Sequence, residues 1–298
     1  MDVKTIAGRL AKMKKRTWAI LGLSGALLIG SAYSISANTP GYELYKEALK
    51  ATHQVESSKL NLSFELEDNS RGLFSSEYVM KTDRLANTMI GEGTVSNGLK
   101  SSSHEMAKQG GKFLIQKNDE DKIYAMTLTG KHPGKEALSN EELRDDLEGV
   151  VDILTKKLQR NIETSVNKDG SQEIALDVPD KEIPGAIDAL TSLAYKHSVQ
   201  MNDRESGRDS GFHDVKPEMP KLEEDIKIKK VKIAASVSAA KIIEKQSVEV
   251  ALTGKDENGK QHELTMTFQL ALSDINSTNV DAMDITGLEI VELQHPHH

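Results

Sequence analysis

Hydrophobic and polar positions change their spacing several times along the chain, and each change marks a new element. From Thr17 to Ala37, TWAILGLSGALLIGSAYSISA, 21 residues pass without a charge. As a helix this run spans about 31 Å, close to the roughly 30 Å hydrocarbon core of a bilayer. It predicts a transmembrane anchor or a signal segment over 17–37. Thr39-Pro40 then supplies an N-cap and a proline at the first helical position. Tyr42, Tyr45, Leu49, Thr52 and Val55 follow on one side of a helix ending near Ser57. Next the period falls to two. Leu60, Leu62, Phe64 and Leu66 alternate with Asn61, Ser63, Glu65 and Glu67, the mark of a half-buried strand. Asp68-Asn69-Ser70-Arg71-Gly72 is turn chemistry, so 74–80 returns as the partner strand. Further strands are predicted over 88–95, 103–108, 112–117 and 122–128.

The helical period then returns. Ser139 with Glu142 makes a capping box. Leu143, Leu147, Val150, Val151, Leu154 and Leu158 mark one face of an amphipathic helix. A strand over 172–178 follows the Lys168-Asp169-Gly170 turn, and a second helix starts at Pro184. Residues 201–224 hold charge clusters with little apolar periodicity and read as a mobile loop. A last sheet block begins at Asp225: Ile226 and Ile228 alternate, then Val231, Ile233, Ala235 and Val237 do so after a one-residue shift at Lys229-Lys230. Such a shift predicts a β-bulge. Val248, Val250 and Leu252 pair with Leu264, Met266, Phe268, Leu270 and Leu272 across a turn holding Asn258-Gly259. Ile285, Leu288 and Ile290 predict a final edge.

The expected fold class is therefore α+β: a curved antiparallel sheet, an incomplete β-barrel, with helices packed on its concave face and one transmembrane helix before it. The expected organisation is a short basic cytoplasmic segment over 1–16, the apolar segment over 17–37, an extracytoplasmic domain over 38–293 and a His-rich tail over 294–298.

Charge gives this order a direction. Six of the 38 basic residues lie in the first 37 positions, four of them (Lys12, Lys14, Lys15, Arg16) directly before the apolar run. Basic residues on that flank mark the cytoplasmic side, so the body is expected to be exported. That body carries 32 basic and 45 acidic side chains, a net charge of −13, which excludes nucleic acid as a natural partner. Ser34-Ile35-Ser36-Ala37-Asn38 offers the small residues a signal peptidase accepts. An intact segment gives a single-pass membrane protein, and a cut one gives a secreted domain. Gly22, Ala26, Gly30 and Ser34 recur every fourth residue, a small-residue face suited to transmembrane packing and self-association.

Candidate chemistry changes the picture mainly by exclusion. With no cysteine there is no disulfide, thiolate metal site, cysteine nucleophile or lipidated-cysteine anchor. His104-Glu105 and His262-Glu263 open like zinc-protease motifs, but Lys108 and Met266 stand where the second histidine is needed. Ser165 and Lys168 match an SxxK spacing, yet the serine lies at a strand end, where a helix start is required. The Asp256–Gly259 segment lacks the downstream glutamate of a calcium loop. No catalytic residue, cofactor or metal is assigned, and the chain is expected not to be an enzyme.

The segment Lys108-Gln109-Gly110-Gly111-Lys112-Phe113-Leu114-Ile115-Gln116-Lys117-Asn118, with the order of elements over about 40–293, resembles the bacterial lipoprotein-carrier family typified by LolA. That family has a hairpin of aspartate, glycine, lysine, an aromatic and an apolar residue, which reads Gly110-Gly111-Lys112-Phe113-Leu114 here. The resemblance implies an incomplete barrel with a helical lid around an apolar cavity.

Two function classes follow. In the first, a tethered extracytoplasmic module of the bacterial envelope binds a lipid, acyl chain or lipidated protein, lined by Leu62, Phe64, Leu66, Leu264, Met266, Phe268 and Leu270. In the second, the same side chains fill a closed core, and the module is an envelope scaffold or protein-interaction domain.

Overall fold

The computed structural model describes residues 40–127, 162–183, 195, 215 and 217–293. It opens with a 14-residue helix, α1 (Pro40–His53). A six-strand meander follows: β1 (Ser57–Asp68), β2 (Arg71–Asp83), β3 (Thr88–Ser96), β4 (Ser101–Gln109), β5 (Lys112–Lys117) and β6 (Lys122–Thr127). A second meander comprises β7 (Ile162–Val166), β8 (Gln172–Pro179), β9 (Leu222–Val237), β10 (Ile243–Asp256) and β11 (Gln261–Ser273). The short β12 (Glu289–Glu292) ends the described chain. All join in one 12-stranded sheet of order β12-β6-β5-β4-β3-β2-β1-β11-β10-β9-β8-β7.

The two meanders are zipped together where β1 meets β11. Phe64 faces Phe268, Leu66 faces Met266 and Leu62 faces Leu270, as the shared period of two requires. The expected pairing of β10 with β11 is present as well, with Leu252 opposite Leu264 and Val248 opposite Phe268. The expected bulge is also found: Ala251 pairs with Lys230 and Leu252 with Ile228, so Lys229 is the extra residue. The β1–β2 turn turns on Asn69 (φ 50°) and Ser70 (φ 63°), a left-handed pair suited to a two-residue hairpin.

α1 lies on one face of this sheet, the helix face. Leu44, Ala48 and Leu49 pack with Ile174, Ala235, Val237 and Ile243. Gly41 lets it come close, since a Cβ there would stand 2.6 Å from Ile162 Cγ2. Gln246 Nε2 donates to the Tyr45 hydroxyl, whose pKa is pushed up to about 12 by burial. A second core on the same face joins Phe64, Leu66, Leu252, Leu264 and Met266 to Leu222 and Tyr195.

Several expectations are corrected. Among the described residues the architecture is a broad 12-stranded sheet with one helix element, α1, on it and Tyr195 in helical conformation, in place of the expected sheet with helices packed on its concave face behind a transmembrane helix. No helix among the described residues is long and apolar enough to cross a membrane. The expected span over 17–37, its stripe of Gly22, Ala26, Gly30 and Ser34, the helices expected over 139–158 and from 184, and the 294–298 tail lie outside the described residues. α1 ends at His53, short of Ser57, because Gln54 and Val55 close tight turns onto Ala51 and Thr52. The last sheet block starts at Leu222, so 222–224 belong to a strand. Leu222 is 2% exposed, and the break that suggested a later start is the left-handed Asp225 (φ 54°). The last edge is parallel to its neighbour: Ile290 pairs with Ile123, after 274–288 crosses from the sheet centre to its border.

That crossing segment covers an apolar patch on the reverse face. Met283 is 4% exposed against Ala107, Leu114, Ile123 and Ala125. Gln109 clamps its backbone from both sides, Nε2 donating to Met283 O at 3.1 Å and Oε1 accepting from Met283 N at 2.8 Å.

Candidate functional site

The seven residues expected to line a cavity all fall on the helix face, but they divide into two groups. Phe64, Leu66, Leu264 and Met266 are between 0% and 9% exposed in the second core, against Leu222, Leu252 and Tyr195. Packed that way, they present no surface to a ligand. Leu62, Phe268 and Leu270 are only half-buried. Leu62 and Leu270 continue the apolar face toward the end of β1 near α1.

There the register sets out a rank the sequence reading did not collect. Leu272 pairs with Leu60, Leu60 with Met80, Met80 with Gly91, Gly91 with Met106 and Met106 with Ile115. Residues so paired share a face, so this rank crosses six strands over about 24 Å at 4.8 Å per strand. Leu272, Leu60 and Met80 are half-buried, while Met106 and Ile115 are buried. Gly91 keeps the rank continuous: a Cβ there would stand 2.6 Å from Met80 Cγ, so Met80 lies over the strand where a side chain would otherwise rise. The signal that would have exposed this rank was Ile90-Gly91-Glu92-Gly93, two glycines inside a strand.

A polar rank runs beside the apolar one, two residues along each strand. It reads Leu62, Tyr78, Gly93, His104 and Lys117. Tyr78 and His104 meet edge to face, ring centroids 5.6 Å apart. Burial pushes the Tyr78 pKa up and the His104 pKa down, which keeps both rings neutral near pH 7. Lys117 is held by Glu120 at 3.2 Å, with its ammonium 6.0 Å from the centre of the Tyr124 ring.

The reverse face carries a trough of about 390 Å³. Its lining includes Leu62 and Leu270 but none of Phe64, Leu66, Leu264, Met266 or Phe268. Strand alternation turns its side chains Asn61, Ser63, Lys245, Ser247 and Gln269 away from the apolar face. Elsewhere on this face polar neighbours are paired across strands, as in Lys230–Glu249 at 2.7 Å and Lys232–Asp177 at 3.5 Å.

One buried ionisable cluster remains. His262, 4% exposed, places Nδ1 2.8 Å from Asp68 Oδ2 and Nε2 3.4 Å from Asp256 Oδ2. Asp256 also holds the β10–β11 turn, its Oδ1 accepting from the backbone N–H groups of Asn258 and Lys260 at 2.9 Å. The second oxygen of Asp68 is buried without a hydrogen-bond partner. The cluster joins the β1–β2 and β10–β11 turns. Among the described residues no group of three His, Asp or Glu is arranged to hold a metal ion. His104, the other histidine of an incomplete zinc-protease motif, lies on β4 with Glu105 on the opposite face.

No family model matches the chain, and no curated protein matches it; the lipoprotein-carrier resemblance therefore has no family match behind it. Similar solved structures include a beta-barrel-like protein of the domain of unknown function DUF1849 from Brucella abortus. It is 10% identical with a TM-score of 0.19, over 74% of this chain and 98% of that one. A conserved protein of unknown function with a hot dog fold from Alicyclobacillus acidocaldarius is also 10% identical, with a TM-score of 0.11, over 82% and 90%. Likenesses at these scores carry no argument about fold or function.

Proposed function

We propose that this chain is a non-enzymatic module on the exported side of a bacterial envelope, and that it binds a lipid, an acyl chain or a lipidated protein along the helix face of its sheet. One observation carries the reading: the apolar rank from Leu272 through Leu60 and Met80 stays half-buried while the neighbouring apolar side chains close into a core. The half-buried stretch crosses three neighbouring strands, about 10 Å at 4.8 Å per strand, which suits a short run of hydrocarbon, and its burial supplies about 25 cal/mol per Å² of apolar surface covered. The expected site thus narrows to Leu62 and Leu270 and gains Leu60, Met80 and Leu272. The test is titration of the full chain with dansyl-undecanoic acid, read by fluorescence. Saturable binding that Leu60→Glu abolishes is expected. No saturable binding refutes the reading.

The trough favours a second reading, a scaffold that meets another envelope protein through its reverse face. Among the described residues Asn61, Ser63, Lys245, Ser247 and Gln269 gather there without side-chain partners. Under that reading Lys245→Glu weakens capture of a partner and leaves dansyl-undecanoic acid binding unchanged.

A further inference from the structure

We propose that Tyr78, His104 and Lys117 form the head-group end of the apolar site, and that its ligand is an amphiphile with an anionic oxygen-bearing head, a carboxylate or a phosphate. This rests on the reading of the helix face as an apolar binding surface and adds what the other end of the ligand must be.

Tyr78, His104 and Lys117 each stand two residues from a member of the apolar rank: Met80, Met106 and Ile115. Two residues along a strand is about 6.8 Å, and both ranks share a face. A chain lying on the half-buried Leu60 and Met80 therefore reaches Tyr78 within the size of a head group, and His104 stands against the Tyr78 ring. His104 and Lys117 are directly paired across β4 and β5, which sets their Cβ atoms about 5 Å apart.

Among the described residues neither the Tyr78 hydroxyl nor a His104 ring nitrogen has a hydrogen-bond partner, although both side chains are half-buried. Neither group is closed off: among the described residues the buried side-chain oxygen or nitrogen without a partner is Asp68 Oδ1, so the Tyr78 and His104 polar atoms are open to an incoming ligand. These two belong to different strands and meet only because Gly93 stands between them. A Cβ at Gly93 would lie 2.3 Å from Tyr78 Cδ1 and 3.3 Å from His104 Nε2.

The phenol offers one O–H donor, the neutral imidazole one N–H donor, and the lysine an ammonium. Glu120 offsets the lysine charge, so attraction to an anion comes chiefly from directed donors in a half-buried site. A cationic head would meet the Lys117 ammonium.

Calorimetric titration of the full chain with lauric acid, monododecyl phosphate and 1-dodecanol, each below its micelle concentration, separates the cases. We expect whichever anionic ligand is the natural head chemistry to bind at least about tenfold more tightly than dodecanol, the worth of one hydrogen bond to a charged group. Preference for lauric acid over the phosphate, or the reverse, names the head. Tyr78→Phe and His104→Gln, which keep side chains of similar size, should each erase most of the preference and leave dodecanol binding intact. If dodecanol binds as tightly as both anions, or the preference survives in the double variant, the head-group site is refuted while the apolar surface stands. If none of the three binds, the apolar surface itself fails and the head-group site falls with it.

Discussion

Tyr78 and His104 lie edge to face, 5.6 Å apart, across a strand that contains neither of them. The space between is the missing side chain of Gly93. Gly93→Ala would set a methyl 2.3 Å from the tyrosine ring, so one ring must move. Overpacking of this kind costs about 1–3 kcal/mol. Urea denaturation should show a lower midpoint for Gly93→Ala, while Gly72→Ala, with nothing within 4 Å of its Cβ, should stay close to the parent.

The same pair gives the fold a pH dependence. Burial holds the folded His104 pKa below the 6.5 of the free side chain, so near pH 6 the unfolded state binds more protons. Stability therefore rises with pH in that window and falls on acidification from about pH 6.5. The carboxylates whose pKa values are lowered from 3.8, such as Asp225 and Asp256, act at more acid pH. Melting temperatures between pH 7 and pH 5 should fall less in His104→Gln than in the parent.

His262 should be the most sensitive polar position in the sheet. His262→Ala leaves the Asp68 carboxylate, 14% exposed and already lacking a partner for one oxygen, without its hydrogen bond to the imidazole. Leaving a buried acceptor without its hydrogen bond costs about 1–3 kcal/mol. Adding Asp68→Asn to His262→Ala should recover part of that loss in the same denaturation assay.

Gln109 tests how the crossing segment is held. Gln109→Ala removes both hydrogen bonds to Met283 and should free 274–288 and the edge strand beyond it. Hydrogen exchange should then speed at 289–292 and stay slow at the pairing of β1 with β11.

Much of this architecture was legible in the sequence because alternation and turn chemistry are local. The pairing of Leu252 with Leu264 and the bulge at Lys229 follow from spacing alone. Alternation, however, says which face a side chain points to and not what covers it. Phe64 and Leu62 look alike in sequence, yet Phe64 is closed over by Leu222 and Tyr195 while Leu62 is half-buried. The Tyr78–His104 contact needs the registers of β2, β3 and β4 together, and no single turn reveals those. β12 was expected as an edge, but four residues carry no period that separates parallel from antiparallel pairing.

The central claim is that an acyl chain lies along Leu272, Leu60 and Met80. Photocrosslinking the full chain with a diazirine-bearing palmitic acid, followed by peptide mass spectrometry, tests it most directly. The account predicts label on peptides holding Leu60, Met80 and Leu272, competed away by unlabelled palmitate. Label confined to Lys245 and Gln269 of the reverse trough, or label that palmitate does not displace, would contradict it.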